Sequence, residues 1–212
     1  MKIIKDLLTP NPYNFSGLVY EPIRIVIHYT GDLGASAERL SQFNNNTANG
    51  MFKNSKKQIN TSCNYIVGYD GEIIQKAEDN QMTYSVGSKY NPGSIAIEVC
   101  YNSKDGKFTD KAIKALSELV PYLQMKYKID NKNVVRHYDL TGKLCPYYYV
   151  DNTRWKELKD KITLKNENNN NILYRVQVGA FKNKVNAENY LKELQNKGFN
   201  GFVVVSYKEG DE

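Results

Sequence analysis

The sequence predicts an α/β protein, a central mixed β-sheet flanked by helices and followed by a small C-terminal β-α-β unit. Three observations predict it. Apolar runs of strand length alternate with stretches in which apolar residues recur at helical spacing. Asp70-Gly71 stands between two such runs, the strongest short-range hairpin signal. The asparagine-rich run "LKNENNNNI", residues 164–172, has no periodicity and divides the chain as a linker. The expected domains are residues 1–163, a linker at 164–171, and a tail at 172–212.

Taken in order, "IRIVIHYT" is a near-continuous apolar strand of the kind buried on both faces. "SAERLSQFNN" reads as a helix capped by Ser36, and "FNNNTANG" ends it, since Gly50 and the asparagines are C-terminal punctuators. "NYIVGYDGEIIQKA" is the hairpin, and "SIAIEVCY" a further strand. In "TDKAIKALSELVPYLQMKY", Ile113, Leu116, Leu119, Val120 and Leu123 fall on one helical face, with Thr109 as the cap. Pro121 within it should kink the helix. "KNVVRHY" is another strand and "TRWKELKDKI" the last helix before the linker.

With 212 residues the chain can bury a real core and still carry a small second unit. A net charge of +6 and a pI near 9.0 favour an anionic partner such as nucleic acid, a membrane surface or an acidic wall polymer, although scattered lysines also make an ordinary solvated surface. No stretch approaches the roughly 18 apolar residues of a membrane span. The opening "MKIIKDLLTPNPYNF" lacks the apolar core of a secretory signal, so none is expected. Three cysteines, an odd number, argue against a disulfide framework and for reduced thiols.

The chain has only 2 histidines. His28 is expected to end one strand and His137 another, and Cys145 follows His137 in the loop "DLTGKLCP". Two strand-end imidazoles and a thiolate would leave one position of a zinc tetrahedron open, the layout of a catalytic site. The plainer alternative is a satisfied core histidine and a small buried cysteine. On the strand "SIAIEVCY", Ile95, Ile97 and Val99 share one face and Ala96, Glu98 and Cys100 the other. Glu98 is either a glutamate reaching water from an edge strand or a general base. Lys143 is either a surface lysine or an oxyanion stabiliser beside the metal. Cys63 and Cys100, without a CxxC partner, are expected to pack in the sheet.

"RIVIHYT", "SIAIEVCYN" and "VVRHYDLTGKLCP" together resemble the zinc-dependent N-acetylmuramoyl-L-alanine amidases, the family of phage lysozyme-amidases and peptidoglycan recognition proteins. The resemblance covers nearly all of residues 1–162, and "GKLCP" is its most specific piece. It implies a zinc site in a surface cleft of the mixed sheet, with His28, His137 and Cys145 as ligands of Zn2+. It also implies Glu98 as the proton shuttle and Lys143 as the catalytic lysine. The chain departs from the family pattern at "TSCNYIV", where relatives carry a histidine or tyrosine and Cys63-Asn64 stand here, and at "MTYSVGSKYNPGS", where relatives show a tryptophan–histidine pair. Neither departure touches a metal ligand; both bear on stem-peptide recognition. Tyr65, Tyr84, Ser88 and Asn91 are the expected cleft wall.

In the tail, Tyr174, Val176 and Val178 alternate on a strand, a helix with Ala187, Tyr190, Leu191 and Leu194 follows, Gly198 ends it, and "GFVVV" closes a β-α-β unit. "YRVQVGAF" resembles the opening of the SPOR domain, a peptidoglycan-binding module, of which the chain holds about half. So small a unit buries little, and its open strand edges invite pairing. Two tails are therefore expected to associate into a homodimer, the alternative being a unit that docks on its own catalytic body or frays.

The reading this supports is a zinc amidase of the endolysin type, cleaving the amide between N-acetylmuramic acid and L-alanine in peptidoglycan, with no nucleic-acid or membrane partner. The absent signal suits accumulation in a host cytoplasm and action on the wall after release. The alternative is a non-catalytic peptidoglycan-binding protein, although inactive recognition members typically lack the cysteine that Cys145 supplies. A zinc peptidase is a weaker rival, since no HExxH occurs.

Overall fold

A six-stranded sheet forms the frame, with β1 (Ile3–Lys5), β2 (Arg24–Tyr29), β3 (Tyr65–Val67), β4 (Ile73–Gln75), β5 (Ser94–Val99) and β6 (Val134–Arg136) in the order β1-β4-β3-β5-β2-β6. The computed structural model describes residues 1–52, 60–164, 178–199 and 201–205. The chain divides into two units, Met1–Asn166 and Glu167–Glu212. All neighbouring strands run parallel except the β3–β4 hairpin, so the sheet is mixed, as the sequence indicates.

The near-continuous apolar runs of β2 and β5 occupy the middle of the sheet, where both faces are covered. On one face Ile25, Ile27, Ile95, Ile97 and Val99 pack with Leu116, Leu119 and Leu123 of α2 (Asp110–Tyr127) and with Trp155, Leu158 and Ile162 of α4 (Asn152–Ile162). On the other, Ile66, Ile74, Ala96 and Cys100 meet Ala37 of α1 (Ala37–Ala48). Ser36, Thr109 and Asp151 cap α1, α2 and α4, each side chain accepting from a backbone N–H of the first turn. The expected kink is not seen as a break: α2 runs through Pro121 without interruption.

The hairpin closes through a three-residue loop. Gly68 N–H donates to the Glu72 carbonyl at 2.8 Å, Gly71 N–H to the Gly68 carbonyl at 3.0 Å, and Gly71 takes φ +92°. That left-handed residue is the reason glycine follows Asp70.

Two elements escape sequence reasoning. Strand β1 extends the sheet beside β4, continued by Asp6 N–H to the Gln75 carbonyl and Leu8 N–H to the Lys76 carbonyl. The second is a five-residue helix, α3 (His137–Thr141). His137 was expected to end a strand, but β6 stops at Arg136 and His137 begins α3. The physical cause is a capping box: Asp139 accepts from the Arg136 backbone N–H at 2.8 Å and turns the chain into the helix.

In the second unit α5 (Lys184–Asn196) begins at Asn183, whose side chain accepts from the Val185 N–H, and Gly198 follows its end at φ +85°. Phe181 and Tyr190 pack at 5.4 Å between ring centroids. The expected opening strand at Tyr174 and Val176, like linker residues 165–171, lies outside the described residues. Residues 201–205 are exposed and carry no strand assignment, so the expected closing strand is not found there. No helix among the described residues is long and apolar enough to cross a membrane.

Candidate metal centre

Three adjacent parallel strands, β5, β2 and β6, bring their carboxyl ends together, the place where open α/β sheets hold their ligands. His28 is the fifth residue of β2 and pairs in register with Glu98 of β5, so both side chains stand on the α1 face. His137 reaches the same place from the first residue of α3, and Cys145 from the loop after it. The sequence-expected trio therefore converges.

His28 Nδ1 lies 3.1 Å from His137 Nδ1 and 3.7 Å from Cys145 Sγ, and the ligand atoms of the three residues all lie within 4.8 Å of one another. A tetrahedral ion bound through nitrogen at about 2.05 Å and sulfur at about 2.3 Å would set these separations near ~3.3 and ~3.6 Å. The donors are thus spaced for one ion, and this His-His-Cys group could hold a metal. All three residues are buried. His28 Nε2 and Glu98 Oε2 are buried with no hydrogen-bond partner, an expensive state for core atoms that nothing else engages.

Electrostatics fits metal binding on the imidazole side. Burial, reinforced by His137 and Lys143, holds His28 well below its ordinary value. Burial and Lys143 lower His137 to about 4. Both rings are neutral at physiological pH, so the 3.8 Å approach of His28 Nδ1 to Glu98 Oε1 is not an ion pair. Burial pushes Glu98 up to about 8, against the pull of Lys143. Burial, aided by Glu98, raises the Cys145 thiol to about 12, while the Tyr29 backbone N–H and Lys143 oppose it. A metal would have to displace that proton. Lys143 is itself exposed, and its charge acts on all four groups.

The expected cleft wall fares differently. Tyr65 is a correction: it is 1 % exposed on the opposite sheet face, among Ile97 and the α2 core, and its hydroxyl donates to Asp79. Period-two alternation along β3 puts Ile66, not Tyr65, in the row of Glu98 and His28. Asn91 is a second correction. It is buried, and its Oδ1 accepts from the N–H groups of Ser85 at 3.2 Å and Val86 at 2.8 Å, so it braces its own loop. Tyr84 and the exposed Ser88 lie on that loop. Arg24 pins it through the carbonyls of Tyr90 and Pro92, four strand positions before His28, roughly 13 Å along the strand.

Arg136 is a site residue that sequence reasoning missed. It is 5 % exposed, grips the Asp139 carboxylate, and donates to the carbonyls of Tyr149 and Val150 at 2.9 and 3.0 Å. One guanidinium thereby fixes both the start of α3, hence His137, and the chain just past Cys145. The signal was present as Arg followed three residues later by Asp. Asn64, at the family departure, is also structural: its amide donates to the carbonyls of Glu78 and Gln81, and its Oδ1 accepts from Ala96 N–H and Thr83 Oγ1.

The fold and the donor set define an α/β protein with a His-His-Cys group that could hold a metal at the carboxyl rim of its parallel strands. The N-acetylmuramoyl-L-alanine amidase family model matches residues 19–148, and the SPOR domain model matches residues 152–210. The N-acetylmuramoyl-L-alanine amidase CwlL of Bacillus licheniformis is 30% identical over 164 residues, covering 72% of this chain and 44% of that protein. Among solved structures, the catalytic domain of XlyA is 29% identical with a TM-score of 0.61, covering 76% of this chain and 99% of that one. PlyL is 26% identical with a TM-score of 0.59, covering 78% and 99%. The chain belongs to the N-acetylmuramoyl-L-alanine amidase family. It spans less than half the length of curated relatives such as CwlL. The SPOR match begins in α4, whose Trp155, Leu158 and Ile162 are buried in the first unit.

Proposed function

We propose that this chain is a zinc-dependent peptidoglycan hydrolase that cleaves the amide between N-acetylmuramic acid and L-alanine. The observation that carries the reading is the convergence of His28 Nδ1, His137 Nδ1 and Cys145 Sγ beside a buried carboxylate with an unpartnered oxygen. His28, His137 and Cys145 would hold the zinc, which when bound supplies Lewis acidity and lowers the pKa of water toward neutrality.

Glu98 would move the proton. Its Oε1 faces His28 and its Oε2 is free to accept from water and later donate to the leaving L-alanine amine. Lys143, exposed two residues before Cys145, would stabilise the oxyanion of the attacked carbonyl. Digestion of purified wall tests the reading. New amino-terminal alanine without new reducing sugar is the expected product. New diamino-acid amines would indicate a peptidase, and intact wall would leave only a binding protein.

The family and the SPOR match both make peptidoglycan the expected partner, which fits an enzyme of the endolysin type acting on the bacterial wall. For the tail, exposed Val185, Phe199, Phe202 and Val205 support association of two second units into a homodimer. Sedimentation of the full chain against one ending near Leu164 decides it: a dimer that becomes a monomer is expected, and two monomers end the idea.

A further inference from the structure

The β3–β4 hairpin lays one carboxylate across the sheet in the direction of β5. Gly68 and Glu72 face each other one rung past the Val67–Ile73 pair, the Gly68 N–H donating to the Glu72 carbonyl at 2.8 Å. Alternation from Ile66 turns Gly68 to the α1 face, the face of Glu98. A side chain at Gly68 would collide with the Glu72 carboxyl group, so glycine leaves the room in which that group folds over β3. Glu72 is half-buried, and among the described residues no cation or donor pairs with its carboxylate. The neighbouring acid Asp70 is already engaged by Lys111 at 3.2 Å.

The strand register fixes the row this carboxylate occupies. Gly68 stands beside Cys100, one rung past the Val67–Val99 pair, and Cys100 lies two residues beyond Glu98 on the same face. Gly68 and the carboxylate over it are thus about 7 Å along the strands and about 4.8 Å across them from Glu98, roughly 8 Å in all. Burial pushes the Cys100 thiol up to about 12, and Glu72 and then Glu98 add to the rise, in keeping with carboxylates on either side of it. Leu40 of α1 and Tyr69 of the hairpin pack on the cluster of Ile66, Ala96 and Cys100, so the ground between the two carboxylates is apolar.

An extended peptide advances about 3.4 Å per residue, so two to three residues past an amide held beside Glu98 bring it to this row. In a peptidoglycan stem that stretch reaches the diamino acid. Its side chain ends in an ammonium while the stem is free, and cross-linking converts the ammonium to an amide. We infer that Glu72 is a specificity-determining residue that binds this ammonium, so that the chain prefers stems that are not cross-linked. The inference rests on the amidase reading and gives that site its substrate class.

The test offers the zinc-loaded full chain two substrates, a muramoyl tripeptide with lysine as the third residue and the same compound with that lysine Nε-acetylated. The readout is the ratio of kcat/KM for the first over the second. The parent is expected to favour the free amine about fivefold, through KM, as a partly exposed ion pair should. Glu72→Gln keeps the shape and should bring the ratio close to one, with the rate on the acetylated substrate unchanged. Asp70→Asn removes a charge already paired with Lys111 and should keep the parental ratio. A parental ratio of one, a ratio that survives in Glu72→Gln, or one lost equally in Asp70→Asn overturns the assignment while the amidase reading stands. Failure of the parent to cut either substrate sinks that reading, and the assignment with it.

Discussion

Arg136 holds Asp139 through both carboxylate oxygens, its Nε at 3.0 and 3.1 Å, while its Nη1 binds two carbonyls thirteen and fourteen residues further on. Arg136 is buried while Asp139 reaches solvent, 6 % and 27 % exposed at the side chain, and no lysine could span the same acceptors. It sets His137 and the segment after Cys145 in one stroke.

Arg136→Lys should therefore weaken the metal site without touching a ligand. A loss of metal affinity of about 10–100-fold is expected, as for other residues that orient ligands. Arg136→Ala should also destabilise the fold by about 1–3 kcal/mol, because the carbonyls of Tyr149 and Val150 lose their donor. Competition with a chelator measures the first and denaturant unfolding the second. Metal affinity equal to the parent's in Arg136→Lys would remove Arg136 from the positioning role.

Glu98→Gln separates proton transfer from metal binding. The amide keeps the shape of the side chain beside His28 and is not a metal ligand, so metal content should match the parent. Hydrolysis should fall by about 10²–10⁴-fold with the loss of a general acid–base group. Wall-digestion rates and elemental analysis on the same preparation give both numbers. A variant retaining parental activity would assign the proton shuttle elsewhere.

Much of this was legible in the sequence, and the reasons are local. The β2 and β5 runs and the Asp70-Gly71 turn are self-sufficient signals, because burial on both faces and a left-handed glycine leave their mark within a few residues. His28 and Glu98 came with their strands. What escaped depends on partners distant in sequence. Strand β1 is three residues long and exists because β4 offers it an edge. Helix α3 exists because Asp139 caps it. Tyr65 was assigned to the cleft, although its alternation with Ile66 sends it to the core; the register that decides this is set by β5. Asn91 was assigned to the cleft wall, whereas loops of this length need internal acceptors for their N–H groups.

Removing the thiolate should remove the metal. In Cys145→Ser the hydroxyl is a poor substitute for the sulfur donor, and the two imidazoles alone hold a divalent ion weakly. The parent should carry one zinc per chain and the variant well under half that after dialysis, with hydrolysis lost in proportion. Because the free Cys145 thiol is raised to about 12, loading the parent near neutral pH should release about one proton per zinc, visible as buffer-dependent heats in calorimetry. Stoichiometric zinc in Cys145→Ser would exclude Cys145 as a ligand.

Lys76 is wholly buried, and its ammonium donates to Asp6 at 2.6 Å, Ser41 at 2.9 Å and Asn45 at 2.8 Å, tying the β1 and β4 ends to α1. Burial raises the Asp6 carboxyl, but hydrogen bonds from Lys76 and Ser41 and the Lys76 charge outweigh it and leave Asp6 below its ordinary value. A carboxyl held lower in the folded chain binds fewer protons there than when unfolded. Its contribution is present above about pH 4 and is lost as pH falls through the folded value. Lys76→Met leaves Ser41 and Asn45 without their shared donor and should cost about 2–3 kcal/mol at neutral pH. Once pH has fallen through the lowered Asp6 value the parent has lost the interaction, so the two unfolding temperatures should converge. Thermal unfolding followed from about pH 2 to 6 measures the gap, and a gap independent of pH would show that Asp6 takes no part in it.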